Sequence, residues 1–298
     1  MKKMVLKTGK WLGYVLYVVV LTGGLLYLRF PCDAVRTYLV SKAGGVDPPM
    51  VLSLGSVRPS FPPGLNLREV ALGLRNGSGQ EIVRARSVSI VPDLWFFLSG
   101  TPRYRFTAHA YNGDIKGEVC LERHGAAGAV SAVVSLKGIQ MGHHPWLLSL
   151  LGRDVTGVVE GEMRYMGRPE RFPDGAGEGT LVVSNGSVRL LRPILGLESI
   201  NFDRLSMKMA LKDRRLSLNH VAVEGPTLKG KLSGTITLNT DMPRSRLDLR
   251  GTLEPLGGLV EKMRGNGAAL SFLRQGLRKL ERSFVIQGSF KNPTFRFV

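Results

Sequence analysis

The sequence predicts a mainly β protein: an N-terminal transmembrane helix followed by a curved, partly open antiparallel β-sheet, groove-like or half-barrel-like, with one or two short helices. Three observations carry this reading. An uncharged apolar run occupies residues 11–28, behind four lysines at Lys2, Lys3, Lys7 and Lys10. From Leu65 onward apolar and polar residues alternate with period two, the mark of half-buried strands. Nearly every such stretch has one apolar and one polar face, the pattern of antiparallel rather than buried parallel sheets.

The apolar run is about 18 residues long, which at 1.5 Å per helical residue reaches roughly 27 Å, close to the thickness of a bilayer's hydrocarbon core. Trp11, Tyr14, Tyr17 and Tyr27 supply the aromatics expected near membrane interfaces. A cleaved export signal usually has an apolar stretch of about 7–15 residues and a small-x-small cleavage site. Here the run ends in Tyr27-Leu28-Arg29-Phe30-Pro31 with no such site, and Phe30-Pro31 before Cys32 fits a lipoprotein signal badly. The segment therefore reads as a retained anchor. The lysine cluster stays in the cytoplasm under the positive-inside bias, and the remainder crosses to the far side. The expected organisation is a basic cytoplasmic stub at 1–10, the anchor at 11–28, a linker at 29–64 and an antiparallel β-domain at 65–298. Within the linker, residues 33–42 read as a helix ended by Gly44-Gly45, and Pro48-Pro49 and Pro59-Ser60-Phe61-Pro62-Pro63-Gly64 as irregular chain.

The strand series follows. Residues 103–122 form the clearest hairpin, with Tyr104, Phe106, Ala108 and Ala110 on one face and Arg103, Arg105, Thr107 and His109 on the other. Asn112-Gly113 supplies the left-handed angles of a type I′ turn, and Ile115, Gly117, Val119 and Leu121 continue the apolar face. The same grammar recurs from Val130 to Leu136, from Val159 to Tyr165, and from Leu181 through a turn at Asn185-Gly186 to Leu190. It continues from Leu205 through a turn at Asp213-Arg214 to Leu218, then over Leu228–Leu238, Leu247–Leu253 and Phe284–Phe290. Residues 143–151 and 268–282 break the alternation and read as short helices. In the second, Leu270, Leu273, Leu277 and Leu280 oppose Arg274, Arg278, Lys279 and Arg282, which suits a helix capping the sheet or one touching lipid. Glycines four apart at Gly113/Gly117, Gly157/Gly161 and Gly230/Gly234 mark bends or close approaches on the inward face.

Composition bounds the function. A net charge of +18, from 41 basic and 23 acidic residues, fits either an anionic membrane surface or a solvated basic exterior. The charges are dispersed and no nucleic-acid motif accompanies them, so no nucleic-acid partner is expected. Cys32 and Cys120 are too few for a disulfide scaffold and read as incidental thiols, with a bridge between them left open. The five histidines, His143-His144 among them, lack metal-ligand spacing, and there is no GxSxG, GxxxxGK[ST] or CxxC. Glu160 and Glu162 share a polar face with Arg164, and Asp248 lies between Arg246 and Arg250, which reads as solvated surface. No catalytic residue, metal site or cofactor is expected. The sequence reads as non-enzymatic. What remains is shape: the inward face either packs as a core or leaves an apolar groove for acyl chains, lined by Tyr104, Phe106, Met163 and Tyr165.

The chain resembles protein N of bacterial type II secretion systems, in its longer form. The likeness rests on the stub, the anchor, Phe30-Pro31 directly after it, the segment Ser245-Arg246-Leu247-Asp248-Leu249-Arg250-Gly251-Thr252-Leu253-Glu254-Pro255 and the ending Gly288-Ser289-Phe290-Lys291-Asn292-Pro293-Thr294-Phe295. More broadly it is similar to the AsmA-like proteins, anchored β-groove proteins that close with a Gly-x-Phe-x-x-Pro-x-Phe pattern. The first resemblance implies a single-pass protein of a Gram-negative inner membrane, its bulk in the periplasm, touching other secretion-system subunits. The second implies contact with phospholipid. Because this chain is far shorter than the large AsmA-like members, a conduit spanning two membranes is not implied.

Overall fold

The computed structural model describes residues 11–298 except 12, 16, 19–20, 26, 28, 45–49, 61–62, 75–80, 94, 96–100, 123–127, 143–153, 195–196 and 256–281. The described residues from Trp11 to Tyr27 are helical and expose their side chains, Trp11 at 73% and Tyr14 at 71%. Among the described residues no helix is long and apolar enough to cross a membrane. Helix α1 (Cys32–Gly44) follows, with Asp33 in its first turn and Lys42 in its last, each favourable to the helix dipole.

The rest is one antiparallel meander. Its strands are β1 (Met50–Ser60), β2 (Gly64–Leu74), β3 (Glu81–Pro92), β4 (Arg103–Ala110), β5 (Gly113–Leu121), β6 (Val130–Gln140) and β7 (Val155–Gly167). They continue as β8 (Ala176–Ile194), β9 (Leu197–Lys212), β10 (Arg215–Glu224), β11 (Leu228–Thr237), β12 (Arg246–Pro255), β13 (Arg282–Ser289) and β14 (Pro293–Phe297). Each pairs only with its sequence neighbours, so the 14-stranded sheet has free ends at β1 and β14 and is not closed.

The register turns the period-two pattern into ladders that cross the whole sheet. One runs Pro59, Leu65, Ile90, Phe106, Gly117, Val134 and Met163, then Gly179, Met209, Leu218, Gly234, Leu249, Ile286 and Phe295. The next runs Val57, Leu67, Val88, Ala108, Ile115, Leu136 and Gly161, then Leu181, Met207, Val221, Leu232, Gly251, Phe284 and Phe297. Neither contains a polar side chain. Large side chains lie over glycine on the neighbouring strand: a Cβ on Gly117 would meet the Phe106 ring at 2.6 Å, and one on Gly251 the Phe284 ring at 2.5 Å. A glycine paired with a large cross-strand neighbour thus keeps the face evenly filled.

The apolar face is not equally covered along its length. Leu211, Leu218, Val221, Ile236, Leu247 and Leu249 on β9–β12 are buried as one cluster. At the other end, Phe30 and the α1 residues Val35 and Leu39 pack on Leu54, Val57 and Leu67 of β1 and β2.

Several local expectations differ from the structure. The sheet begins at Met50, within the stretch read as linker: β1 escapes the pattern because its apolar positions Leu54 and Val57 are three apart, stepping past Gly55. Opposite that step, Glu69 takes a left-handed φ of 52°. Pro59 is tolerated because β1 is an edge strand. Asn185-Gly186 is not a turn: β8 runs straight through it, with Asn185 at φ 50° forming a bulge against β7, where Gly157 takes φ 144°. Asn-Gly offers left-handed angles equally to a turn and to a bulge. The β4–β5 hairpin is present, but its positive-φ pair is Tyr111-Asn112, one residue earlier than expected. Tyr111 is drawn into that conformation as its hydroxyl accepts from the Arg84 N–H at 2.8 Å and its ring packs beside Ala85, Ala108 and Ala110. Asp213-Arg214 does turn the chain, at φ 50° and 62°. The helices expected at 143–151 and 268–282 lie outside the described residues, save that Arg282 opens β13.

Backbone approach makes Gly161 irreplaceable, since a Cβ there would collide with the Thr180 carbonyl and come within 2.8 Å of Leu181. Gly161→Ala is expected to lower stability by about 1–3 kcal/mol in chemical denaturation. A Cβ added at Gly142 would meet nothing within 4 Å among the described residues, and Gly142→Ala is expected to stay within about 0.5 kcal/mol of the parent.

Candidate functional site

The four residues expected to line a groove come to one place. Tyr104 and Phe106 stand on β4, Met163 and Tyr165 on β7, all pointing to the apolar face. Phe106 and Met163 belong to the first ladder described above, with Gly117 and Val134 between them. Tyr104 and Tyr165 belong to a third ladder, on the far side of the first from the second, with Val119 and Ala132 between. At about 4.8 Å per strand the patch is roughly 14 Å wide. Tyr104, Phe106, Val119, Ala132, Val134, Met163 and Tyr165 are all only half-buried. The corresponding ladder positions on β9–β12 are largely buried. The face is thus packed on β9–β12 and, on β4–β7, at the end that carries Ala108, Ala110, Ile139 and Val159, and it is more open at the end that carries these seven residues.

Tyr165 does more than line this patch. Its hydroxyl donates to the carbonyl of Arg168 at 3.1 Å, with the Phe172 carbonyl at 3.3 Å, and its ring stacks on Phe172 with centroids 4.8 Å apart. It thereby holds the 3-10 segment Pro169–Asp174 against the end of β7. Glycines are needed beside it, because a Cβ at Gly175 would meet the ring at 2.5 Å. Burial, and secondarily the Asp174 carboxylate, raises the Tyr165 pKa above the ordinary tyrosine value of 10.0. Asp174 is in turn paired with Arg214 at 3.5 Å.

The segments Ser245-to-Pro255 and Gly288-to-Phe295 lie side by side, as β12 and the β13–β14 hairpin. Their shared features have structural causes. Gly288 takes φ 105°, and a Cβ there would meet the Asn292 carbonyl at 2.5 Å. Ser289 Oγ accepts from the Asn292 N–H at 3.1 Å, the Ser245 carbonyl accepts from Phe290 N–H at 3.3 Å, and Phe295 stacks on Phe284 at 5.1 Å. Ser245 is fully buried, its Oγ accepting from Asn239 N–H at 3.0 Å. Beside this corner an open cleft of about 540 Å³ is lined by Arg244, Arg246, Leu247, Asp248, Gln287, Gly288 and Ser289.

The polar side chains form surface pairs. Arg103 pairs with Glu118 at 2.7 Å and Arg164 with Glu178 at 3.7 Å, and His109 Nδ1 lies 2.5 Å from Asp114 Oδ1. Glu160, Glu162 and Asp248 are exposed on the polar face. Cys32 and Cys120 are free thiols, and Cys120 faces Glu118 at 3.8 Å. Among the described residues no group of three His, Cys, Asp or Glu is placed to hold a metal ion, and His143-His144 lies outside them. The ladders and the glycine–aromatic pairs were not foreseeable residue by residue, because they depend on register.

Compared with protein-family models, with curated proteins and with solved structures, the chain gives no match.

Tyr165→Phe removes the hydroxyl's hydrogen bonds and is expected to cost about 1 kcal/mol at neutral pH. Since the folded pKa is raised, the stabilisation associated with neutral Tyr165 is intact below pH 10 and is lost as pH rises through the folded value. The parent is therefore expected to lose stability more steeply than Tyr165→Phe above about pH 10, as read by denaturation midpoints across an alkaline series.

Proposed function

We propose that the protein is a non-enzymatic component of a type II secretion apparatus, anchored in the inner membrane of a Gram-negative cell with its sheet in the periplasm. It acts in assembly or accessory contacts with other secretion subunits and carries no cofactor. The observation that carries this reading is the resemblance of β12 and the β13–β14 corner to protein N of those systems, joined to the lysine-flanked apolar run at the start. Support for the anchor comes from the exposed apolar side chains of its helical residues, Trp11, Tyr14, Tyr17, Leu21, Leu25 and Tyr27. Such a stripe costs free energy in water and is at home in lipid. Deleting the gene is expected to reduce exoprotein in the culture medium and to leave it in the periplasm; unchanged secretion overturns the role. Alkaline carbonate washing is expected to leave the chain with the membranes, and its release would remove the anchor.

A second reading, favoured by the half-buried patch on β4–β7, is that this sheet bends into a shallow groove and holds acyl chains, as in the AsmA-like proteins. Two features support bending: glycines recur along the ladders, and among the described residues one face carries buried clusters with no second sheet packed against it. In native mass spectrometry of the full chain released from detergent, retained phospholipid is expected, and Phe106→Asp is expected to abolish retention. A parent chain without lipid points to contact alone.

A further inference from the structure

On the polar face the register sorts charge into two regions. Across β4–β8 the rows balance: Arg105, Glu118, Arg164 and Glu178 share one row, and Lys116 and Glu162 the next. At one end of β9–β12, Arg204, Glu224, Lys229 and Glu254 alternate in sign across the strands. The remaining rows of β9–β14 do not balance. One carries Lys208 and His220, then Arg250 and Arg296. Another carries Lys212, Arg215 and Arg246, and Lys231 lies on a third. Asp248 is the one carboxylate on these rows among the described residues.

All these Lys and Arg residues are exposed, and among the described residues none makes an ion pair. At strand and residue spacings the region measures about 24 Å by about 20 Å. Between the cations stand Ser217, Ser233, Thr235, Thr237 and Thr252.

We propose that the polar face of β9–β14 is an electrostatic docking surface for the anionic phospholipid headgroups of a bilayer. Protein interfaces are anchored by buried aromatic and large apolar side chains, and these rows offer no aromatic and no large apolar side chain beyond half-buried Val285 and exposed Val298 at the sheet's edge. Single-stranded nucleic acid needs aromatic stacking platforms, which are equally missing from these rows. Fixed cations spaced by hydroxyls suit a fluid array of phosphates, which rearranges to meet them. The attraction acts near the surface and fades within a Debye length, so it is steeply salt-dependent. The anchor proposed at residues 11–28, on which this part of the argument rests, would hold the face close to such headgroups and raise their effective concentration.

The test reconstitutes the full chain in phosphatidylcholine vesicles and mixes these with labelled vesicles of phosphatidylcholine, with or without phosphatidylglycerol. Capture is read by co-flotation. Phosphatidylglycerol vesicles are expected to be captured and phosphatidylcholine ones not. Capture should fall more than about tenfold in roughly 0.5 M salt and in the triple variant K208E/R250E/R296E. The neutral triple K208Q/R250Q/R296Q, milder for folding, should show an intermediate loss, while Lys116→Glu on the balanced rows should leave capture within about twofold. Equal capture of both vesicle types, or a triple variant that captures as the parent does, overturns the proposal. Loss of capture in millimolar inorganic phosphate would overturn it in favour of a site for free phosphate, and preference for polyglutamate beads over the vesicles in favour of an acidic protein. Failure of the anchor is read separately: the chain then does not float with phosphatidylcholine vesicles alone, and capture is scored on the free chain.

Discussion

Two uninterrupted apolar ladders, each crossing all 14 strands, are the constraint on which the rest of the structure depends. Among the described residues there is no second sheet to pack against, and the strands satisfy their hydrophobic residues on one face of a single layer. Each buried aliphatic side chain contributes about 1.5–3 kcal/mol only while it stays on that face. A one-residue slip would bring Lys116, Glu162 or Arg250 onto it and expel Ile115, Gly161 or Gly251. Bulges repair the phase where the sequence loses it, as between Leu218 and Val221 on β10, both buried though three residues apart.

The ladders also divide the molecule. On β9–β12 they are a packed core, with unbalanced cations on the opposite face. On β4–β7 the ladder through Phe106, Val134 and Met163 is half-buried over a balanced polar face, with Phe106 lying on Gly117, while the ladder through Ala108, Ile115 and Leu136 joins buried clusters. In the proposed account, the first half gives a rigid body that rests against headgroups. The second gives an apolar surface free to meet acyl chains or a partner. Tyr165 belongs to both schemes, because the ring that borders the patch also ties down the 3-10 segment.

Much of the sheet was legible in the sequence because alternation is a local signal. The hairpin around Tyr111, the turn at Asp213-Arg214 and the faces of β4–β7 follow from residues two apart. What stayed hidden depends on partners distant in the chain. Asn185 reads as a turn until Gly157 is placed opposite it, and β1 reads as irregular until β2 shows where Gly55 belongs. The basic rows illustrate this best. Lys208, Arg250 and Arg296 are far apart in sequence and look like scattered charge, and only pairing through β10 to β14 lines them up. The lining residues Tyr104, Phe106, Met163 and Tyr165 were readable because each lies in a strand with clean alternation. That Phe106, Met163 and Tyr165 also cover glycines was not.

The claim that the apolar face is open around Phe106 on β4 and closed around Leu249 on β12 is tested most directly by photocrosslinking in the native membrane. A benzophenone amino acid replaces Phe106 in one strain and Leu249 in another, two positions of the same ladder. Phospholipid adducts at position 106, with none at 249, are the predicted result. Adducts at both positions, or at 249 alone, would contradict the account.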